Sequence, residues 1–123
     1  MFEIDLFKGK TIIITGGGTG LGKSMAVRFA ELGANLILTS RRKDVLDETS
    51  AEIKQATGAK ILTVAADIRS PEQVADMVAQ SVSRFKKIDG LLNNAAGNFI
   101  SPTEKLSENA FKTIVDIVLL GSF

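Results

Sequence analysis

The sequence contains no cysteine and no histidine. Without cysteine the chain has neither disulfide bonds nor thiolate chemistry. Without histidine it lacks the usual zinc ligands and any Ser-His or Cys-His nucleophile, so we expect no metal site. Tryptophan and tyrosine are absent too, which leaves no phenolic hydroxyl as a proton donor. Any chemistry in these residues must therefore use hydroxyls, amides, carboxylates, lysines or a bound cofactor.

Long apolar runs and an excess of one charge are missing as well. No apolar run approaches the roughly 18 residues that cross a bilayer. Because residues 1–10 are short and mixed in character, we expect no signal or transit peptide in the sequence as given. The net charge is +1 and the basic residues are dispersed, which argues against nucleic acid and membrane surfaces as partners. We therefore expect a cytoplasmic protein. Its 123 residues, 45% of them hydrophobic, correspond to about one domain with a real core.

Strand and helix patterns alternate along the chain. Apolar, largely β-branched runs predict strands over residues 11–15, 35–40, 61–66 and 88–93. Amphipathic segments predict helices over 22–32 and 42–57, after Ser70-Pro71, and from Ser107 onward. This order predicts right-handed βαβ units, and hence a doubly wound, Rossmann-type α/β fold with a parallel sheet and helices on both faces. Ligands of such sheets bind at the carboxyl ends of the strands.

The first predicted strand ends in a glycine-rich loop that opens a helix. Its pattern is T-G-x-x-x-G-x-G. Glycine permits the tight turn and lets backbone N–H groups approach a pyrophosphate, while the helix N-terminus adds donors and a positive dipole. A glycine-rich turn without a ligand is the alternative, which the strand-loop-helix context disfavours. The candidate pyrophosphate site comprises Gly16, Gly17, Gly18, Thr19, Gly20, Leu21 and Gly22.

The second predicted strand ends in Ser40, Arg41 and Arg42, with no acidic residue before Asp44. Enzymes that use NAD usually place a carboxylate here to bind the ribose hydroxyls, whereas an arginine accommodates the 2′-phosphate of NADP. A guanidinium can also bind a phosphate through two parallel hydrogen bonds. The alternative is a solvated arginine pair at a helix start. We expect NADP(H), bound by Ser40 and Arg41.

The third and fourth predicted strands end in polar residues. Asp67 can accept a hydrogen bond from the exocyclic amine of adenine, or serve as a turn residue before Ser70. After the fourth strand, Asn94 and Ala95 belong to the string N-N-A-A-G-N-F. Small residues there let a cofactor ribose lie against the backbone, and amide side chains can bridge strands. Alone, this string would be an asparagine-rich loop; beside the other motifs it indicates cofactor binding.

Taken together, these motifs resemble the short-chain dehydrogenase/reductase superfamily over the whole chain. Four segments more narrowly resemble the 2,4-dienoyl-CoA reductases, which use NADPH to reduce a conjugated dienoyl-CoA thioester during oxidation of unsaturated fatty acids. Most members of the superfamily have a catalytic Asn at the position where this chain has Val118. The dienoyl-CoA reductases also lack an Asn at that position. The four segments are residues 40–46, 67–69, 93–104 and 111–119.

The resemblance implies roles for further residues. Asn98 would be catalytic and hydrogen-bond the thioester carbonyl, while Arg69, Phe99 and Ser107 would face an acyl-CoA substrate. It also implies a homo-oligomer, a tetramer in the full-length protein. The family's Tyr-x-x-x-Lys, whose Tyr donates the proton, has no counterpart in this chain. We therefore interpret residues 1–123 as a single NADP(H)-binding Rossmann domain, truncated on its C-terminal side and inactive by itself.

Two other functions are compatible with the same motifs. One keeps the superfamily but changes the substrate, to a 3-oxoacyl compound or to an alcohol or carbonyl compound. The other is a non-catalytic nucleotide-binding module that has lost its chemistry. A Tyr-x-x-x-Lys motif in coding sequence beyond Phe123 would exclude the second.

Overall fold

The computed structural model describes residues 3–96 and 101–123. Its four strands form one parallel sheet in the order β3-β2-β1-β4, which confirms the doubly wound α/β fold. Thr15 at the end of β1 lies beside Thr39, and Ser40 at the end of β2 lies beside Ala65. The strand ends that carry the motifs therefore meet at one edge of the sheet. The strands are β1 (Thr11–Thr15), β2 (Asn35–Ser40), β3 (Ile61–Ala65) and β4 (Gly90–Leu92).

Four α-helices connect and follow the strands. Ser107 is the N-cap of α4 (Glu108–Ile114), and its hydroxyl accepts a hydrogen bond from the Ala110 N–H. Helix α4 continues directly into a π-helix, Val115–Leu120. A short 3₁₀ helix, Thr103–Lys105, precedes α4. The α-helices are α1 (Gly20–Glu31), α2 (Lys43–Thr57), α3 (Pro71–Phe85) and α4 (Glu108–Ile114).

The core lies on both faces of the sheet. Ile12 and Ile14 of β1 point to the face covered by α1 and α2, whereas Ile13 points to the face covered by α3. Because β1 is buried on both sides, its sequence is a continuous apolar run rather than an alternating one. The two central strands are thus fixed firmly, and the loops at their carboxyl ends have a rigid base.

Several boundaries differ from the sequence prediction. Helix α1 begins at Gly20, two residues earlier than predicted, because the first turn is formed by the glycine loop itself. Strand β4 covers only Gly90–Leu92 instead of residues 88–93. Within the described residues β4 pairs with β1 alone, and a strand with one neighbour is held by half as many ladder hydrogen bonds.

Candidate functional site

A cleft of about 450 Å³ opens at the carboxyl ends of the strands. This is where ligands of doubly wound sheets bind. It combines residues at the ends of β1 to β4 with one residue of α2 and one of the π-helix. The lining residues are Gly16, Gly18, Thr19, Thr39, Ser40, Arg41, Arg42, Val45, Ala66, Asp67, Ile68, Arg69, Asn94, Ala95, Ala96 and Ile117.

Close contacts require glycine at one position of the loop after β1 and at one position in the first turn of α1. Gly16 has a φ of +67°, and a Cβ added there would lie 2.9 Å from Nδ2 of Asn94. At Gly22 an added Cβ would lie 2.3 Å from the carbonyl oxygen of Gly16 and 2.5 Å from the same Asn94 nitrogen. The loop, the first turn of α1 and the segment after β4 are therefore packed backbone to backbone.

Hydrogen bonds join the loops that follow β1 and β4. The Thr15 hydroxyl oxygen accepts from the backbone N–H groups of Asn94 and Ala95, both at 3.0 Å. The side-chain amide of Asn94 donates to the carbonyl oxygen of Gly16 at 3.2 Å. Asn94 and Ala95, predicted to bind cofactor, thus line the cleft and also fix the glycine loop.

The loop presents donors to the cleft. Within residues 3–96 and 101–123, the backbone N–H groups of Gly18 and Thr19 donate to no other residue. Both residues line the cleft and precede the N-terminus of α1. Open N–H groups beside a positive helix end suit a phosphate. The residues present therefore fit the pyrophosphate of a dinucleotide.

The two arginines after β2 differ in their partners. Arg42 hydrogen-bonds Asp44 at 3.4 Å through its guanidinium, and its backbone N–H donates to the Ser40 hydroxyl at 3.2 Å. Arg41 is exposed at the cleft and has no hydrogen bond or ion pair in the described part of the chain. Arg41 is therefore the guanidinium that is open to an incoming anion.

Asp67 is held by Arg69 through several hydrogen bonds. The Arg69 guanidinium reaches both carboxylate oxygens, the shortest contact being 2.7 Å, and its backbone N–H donates at 2.9 Å. These bonds, with smaller contributions that include the charge of Arg41, lower the pKa of Asp67 to about 2. The Asp67 carboxylate is therefore ionised at neutral pH, and its orientation is fixed.

The comparisons with known proteins agree with this geometry. Residues 10–123 match the family model described as short chain dehydrogenase. The chain belongs to the short-chain dehydrogenase family. It is 45% identical over 114 residues to a probable 2,4-dienoyl-CoA reductase of Bacillus subtilis, covering 93% of this chain and 44% of that protein. The predicted resemblance to 2,4-dienoyl-CoA reductases is thereby confirmed.

Solved structures give the same fold. A citronellol catabolism dehydrogenase of Pseudomonas aeruginosa aligns with a TM-score of 0.93 and 37% identity, over 100% of this chain and 50% of that one. The L-sorbose reductase of Gluconobacter frateurii, solved with NADPH and L-sorbose, aligns with a TM-score of 0.90 and 28% identity, over 98% and 46% of the two chains. The chain thus spans about half the length of these proteins, or slightly less.

Some of the residues predicted to bind the cofactor do not line the cleft. Of the glycine loop, Gly17, Gly20, Leu21 and Gly22 do not line the cleft. A Cβ added at Gly17 would instead meet the Leu38 side chain at 2.9 Å, so this glycine faces the core. The sequence pattern marks the whole loop, whereas only Gly16, Gly18 and Thr19 of it line the cleft.

The residues assigned to the acyl-CoA are placed differently from one another. Arg69 lines the cleft, with its guanidinium on Asp67. The Ser107 hydroxyl caps α4 by accepting from the Ala110 N–H at 3.1 Å, and Ser107 is not among the cleft residues. Asn98 and Phe99 lie outside the described residues. Their roles in substrate binding and catalysis stay predictions.

Sequence reasoning missed several apolar cleft residues. Val45 enters from α2, four residues after Arg41, and Ile117 enters from the π-helix. A Cβ added at Gly121 would lie 2.8 Å from Cγ1 of Ile68, so the segment after β3 and the end of the π-helix touch. Ile68 adjoins Asp67, so the sequence could have indicated it as a cleft residue. Ile117 has no such signal near it in the sequence, because only the tertiary fold brings it to the cleft.

Among the helices in residues 3–96 and 101–123, none has both the length and the apolar character needed to span a bilayer.

Proposed function

We propose that this chain is the cofactor-binding part of an NADPH-dependent reductase that acts on an unsaturated fatty acyl-CoA, of the 2,4-dienoyl-CoA type. The observation that carries the cofactor assignment is Arg41, whose guanidinium lies at the cleft without a hydrogen bond or ion pair to any described residue, on a segment with no carboxylate before Asp44. The substrate class is supported by the B. subtilis relative, whose name is that of a 2,4-dienoyl-CoA reductase. The same resemblance supports a homo-oligomer, a tetramer, for the intact protein, and the cytoplasmic location stays a prediction.

Each part of the cleft has its share in cofactor binding. The open N–H groups of Gly18 and Thr19 bind the pyrophosphate, and Arg41 with Ser40 binds the 2′-phosphate. The Asp67 carboxylate would accept from the adenine amine, and the hydrogen bonds from Arg69 fix its orientation. Asn94 and Ala95 would lie against the ribose, and Gly16, Gly18 and Thr19, the residues of the glycine loop that line the cleft, against the phosphates. When bound, the reduced nicotinamide supplies a hydride.

Asn98 is the chain's own contribution to the chemical step. Hydride addition to a conjugated thioester develops enolate charge on the thioester oxygen. A fixed amide donor stabilises that charge in the transition state as an oxyanion hole does. The position of Asn98 in the sequence, two residues after the cleft residue Ala96, supports this role. Arg69, Phe99 and Ser107 complete the proposed acyl-CoA contacts.

Replacing Arg41 by alanine in the intact protein should weaken NADPH binding and leave NADH binding unchanged. A hydrogen bond to a charged group contributes roughly 1.5–3 kcal/mol, about one to two decades in Kd. The measurement is fluorescence titration with both cofactors. Arg84→Ala is the matched control, because it removes an equal charge from α3, where Arg84 lies over the Phe85 ring. Equal affinity of the unmutated protein for NADPH and NADH would exclude the assignment.

Residues 1–123 expressed alone should self-associate and show no reductase activity. They contain no tyrosine, and a positioned acid contributes roughly 10²–10⁴ in rate. Exposed apolar side chains and an edge strand favour association: Phe111 is 61% and Leu119 65% exposed, and β4 has one partner in the described sheet. Light scattering after size exclusion, with Leu119→Glu as the comparison, followed by an NADPH-oxidation assay, tests both statements. A monomer that reduces a dienoyl-CoA would contradict them.

A further inference from the structure

Thr49 makes a buried contact with the glycine loop. It lies on the inner face of α2, is 2% exposed, and its hydroxyl donates to the carbonyl oxygen of Gly18 at 2.6 Å. The two residues are 31 positions apart in the sequence. No other described residue hydrogen-bonds this carbonyl. The side chain therefore satisfies a buried acceptor that would otherwise cost free energy.

This contact also fixes the direction of the next N–H group. In a trans peptide the carbonyl oxygen of one residue and the N–H of the following residue point in opposite directions. With the Gly18 carbonyl directed at α2, the Thr19 N–H must point away from α2. Thr19 lines the cleft, and its N–H donates to no other described residue. One buried hydroxyl thus sets the orientation of a donor that faces the ligand.

The loop also rests directly on α2. A Cβ added at Gly18 would lie 3.0 Å from Cγ1 of Val45 and 3.6 Å from Cδ2 of Leu46. Apolar packing alone holds the loop near the helix but does not choose between the two orientations of the Gly18–Thr19 peptide group. The directional element is the hydroxyl, which valine or alanine at this position lacks.

We propose that Thr49 is a positioning residue for the cofactor: it orients the Gly18–Thr19 peptide group so that the Thr19 N–H meets the pyrophosphate. This inference rests on the proposed NADP(H) function. It adds a residue that lies outside the glycine motif and outside the cleft lining. It also links the pyrophosphate site to α2, the helix that begins directly after Arg42.

The test compares Thr49→Val with Thr57→Val in the intact protein. Thr57 lies on the same helix, and its hydroxyl also donates to a carbonyl oxygen, that of Ile53 at 2.7 Å, but it does not reach the loop. Thr49→Val should raise the Kd for NADPH about tenfold, the loss of one hydrogen bond to a charged group. The Kd for 2′-AMP, which carries the 2′-phosphate and no pyrophosphate, should not change. Thr57→Val should change neither Kd.

Thr49→Ser and Thr49→Ala provide a second comparison, should the valine variant fail to fold. The two differ only in the hydroxyl, so serine should retain the NADPH affinity and alanine should lose it. Equal NADPH affinity in these two variants, or equal loss of NADPH and 2′-AMP binding in Thr49→Val, would overturn the positioning role. Failure of the unmutated protein to bind NADPH would instead overturn the proposed function, and this inference with it.

Discussion

Replacing Asn98 by alanine in the intact protein is expected to lower kcat on a 2,4-dienoyl-CoA by roughly 10²–10³. That is the typical loss when one donor of an oxyanion hole is removed. The amide is assigned to the thioester oxygen, where negative charge develops as hydride adds. Because the contact strengthens in the transition state, the loss should appear in kcat while the Kd for NADPH changes little. Steady-state kinetics and cofactor titration on the same preparation measure both.

Val118→Ala is the control for this experiment. Val118 occupies the position where most short-chain dehydrogenases have a catalytic Asn, yet it is an apolar side chain, 44% exposed, on the π-helix. We predict that it serves only packing, so its truncation should leave kcat within a few-fold of the unmutated value. Near-normal turnover by Asn98→Ala, together with good turnover of a 3-oxoacyl or alcohol substrate, would show that the substrate assignment is wrong.

Of the substitutions proposed for the intact protein, Gly22→Ala is expected to lower the free energy of unfolding most, and it should also abolish cofactor binding. In an ordinary helix interior this change would stabilise the helix by about 1 kcal/mol, because alanine has a higher helix propensity than glycine. Here the new Cβ would lie 2.3 Å from the Gly16 carbonyl oxygen and 2.5 Å from Nδ2 of Asn94. Neither neighbour can move without displacing the cleft. We expect the free energy of unfolding to fall by roughly 3 kcal/mol, the upper end of the cost of overpacking.

Gly90→Ala provides a matched glycine change. A Cβ added there meets nothing nearer than Cγ1 of Ile12, at 3.6 Å, an ordinary van der Waals distance. Denaturant unfolding and NADPH titration of both variants separate a specific clash from a general intolerance of alanine for glycine. If Gly22→Ala unfolded at the same denaturant concentration as Gly90→Ala and bound NADPH normally, the packing of the loop against Asn94 would be wrong.

The central strands were predictable because their physical cause is local. Residues 11–15 and 35–40 have continuous apolar centres bounded by polar residues or glycine, a pattern typical of a strand buried on both faces, and the structure has β1 and β2 with these same bounds. The start of α3 was predictable for a similarly local reason. The Ser70 hydroxyl accepts a hydrogen bond from the Gln73 N–H, and Pro71 is the first residue of the helix. The predicted range of β4 was too long, because an apolar run does not reveal that its strand has one partner in the described sheet.

The cleft was predictable in part. Ser40 ends β2, Arg41 follows it and Asp67 lies two residues after β3, and parallel strands bring such residues to one edge of the sheet. The contacts that decide their roles were not predictable. Arg69 was assigned to substrate, but whether its guanidinium meets Asp67 depends on side-chain geometry. Ile117 and Thr49 reach the loops across the fold, and nothing in their own neighbourhoods marks them.

The most direct test of the account is one assay on the intact protein. A 2,4-dienoyl-CoA is supplied with NADPH or with NADH, and in parallel a 3-oxoacyl-CoA is supplied with NADPH; cofactor oxidation and loss of the conjugated dienoyl absorbance are followed together. The account predicts that the dienoyl-CoA is reduced, with one NADPH consumed per dienoyl group, and that NADH supports at most about one tenth of that kcat/KM, as one charge-assisted contact implies. Reduction of the 3-oxoacyl-CoA without loss of the dienoyl absorbance, or equal use of NADH, would contradict it.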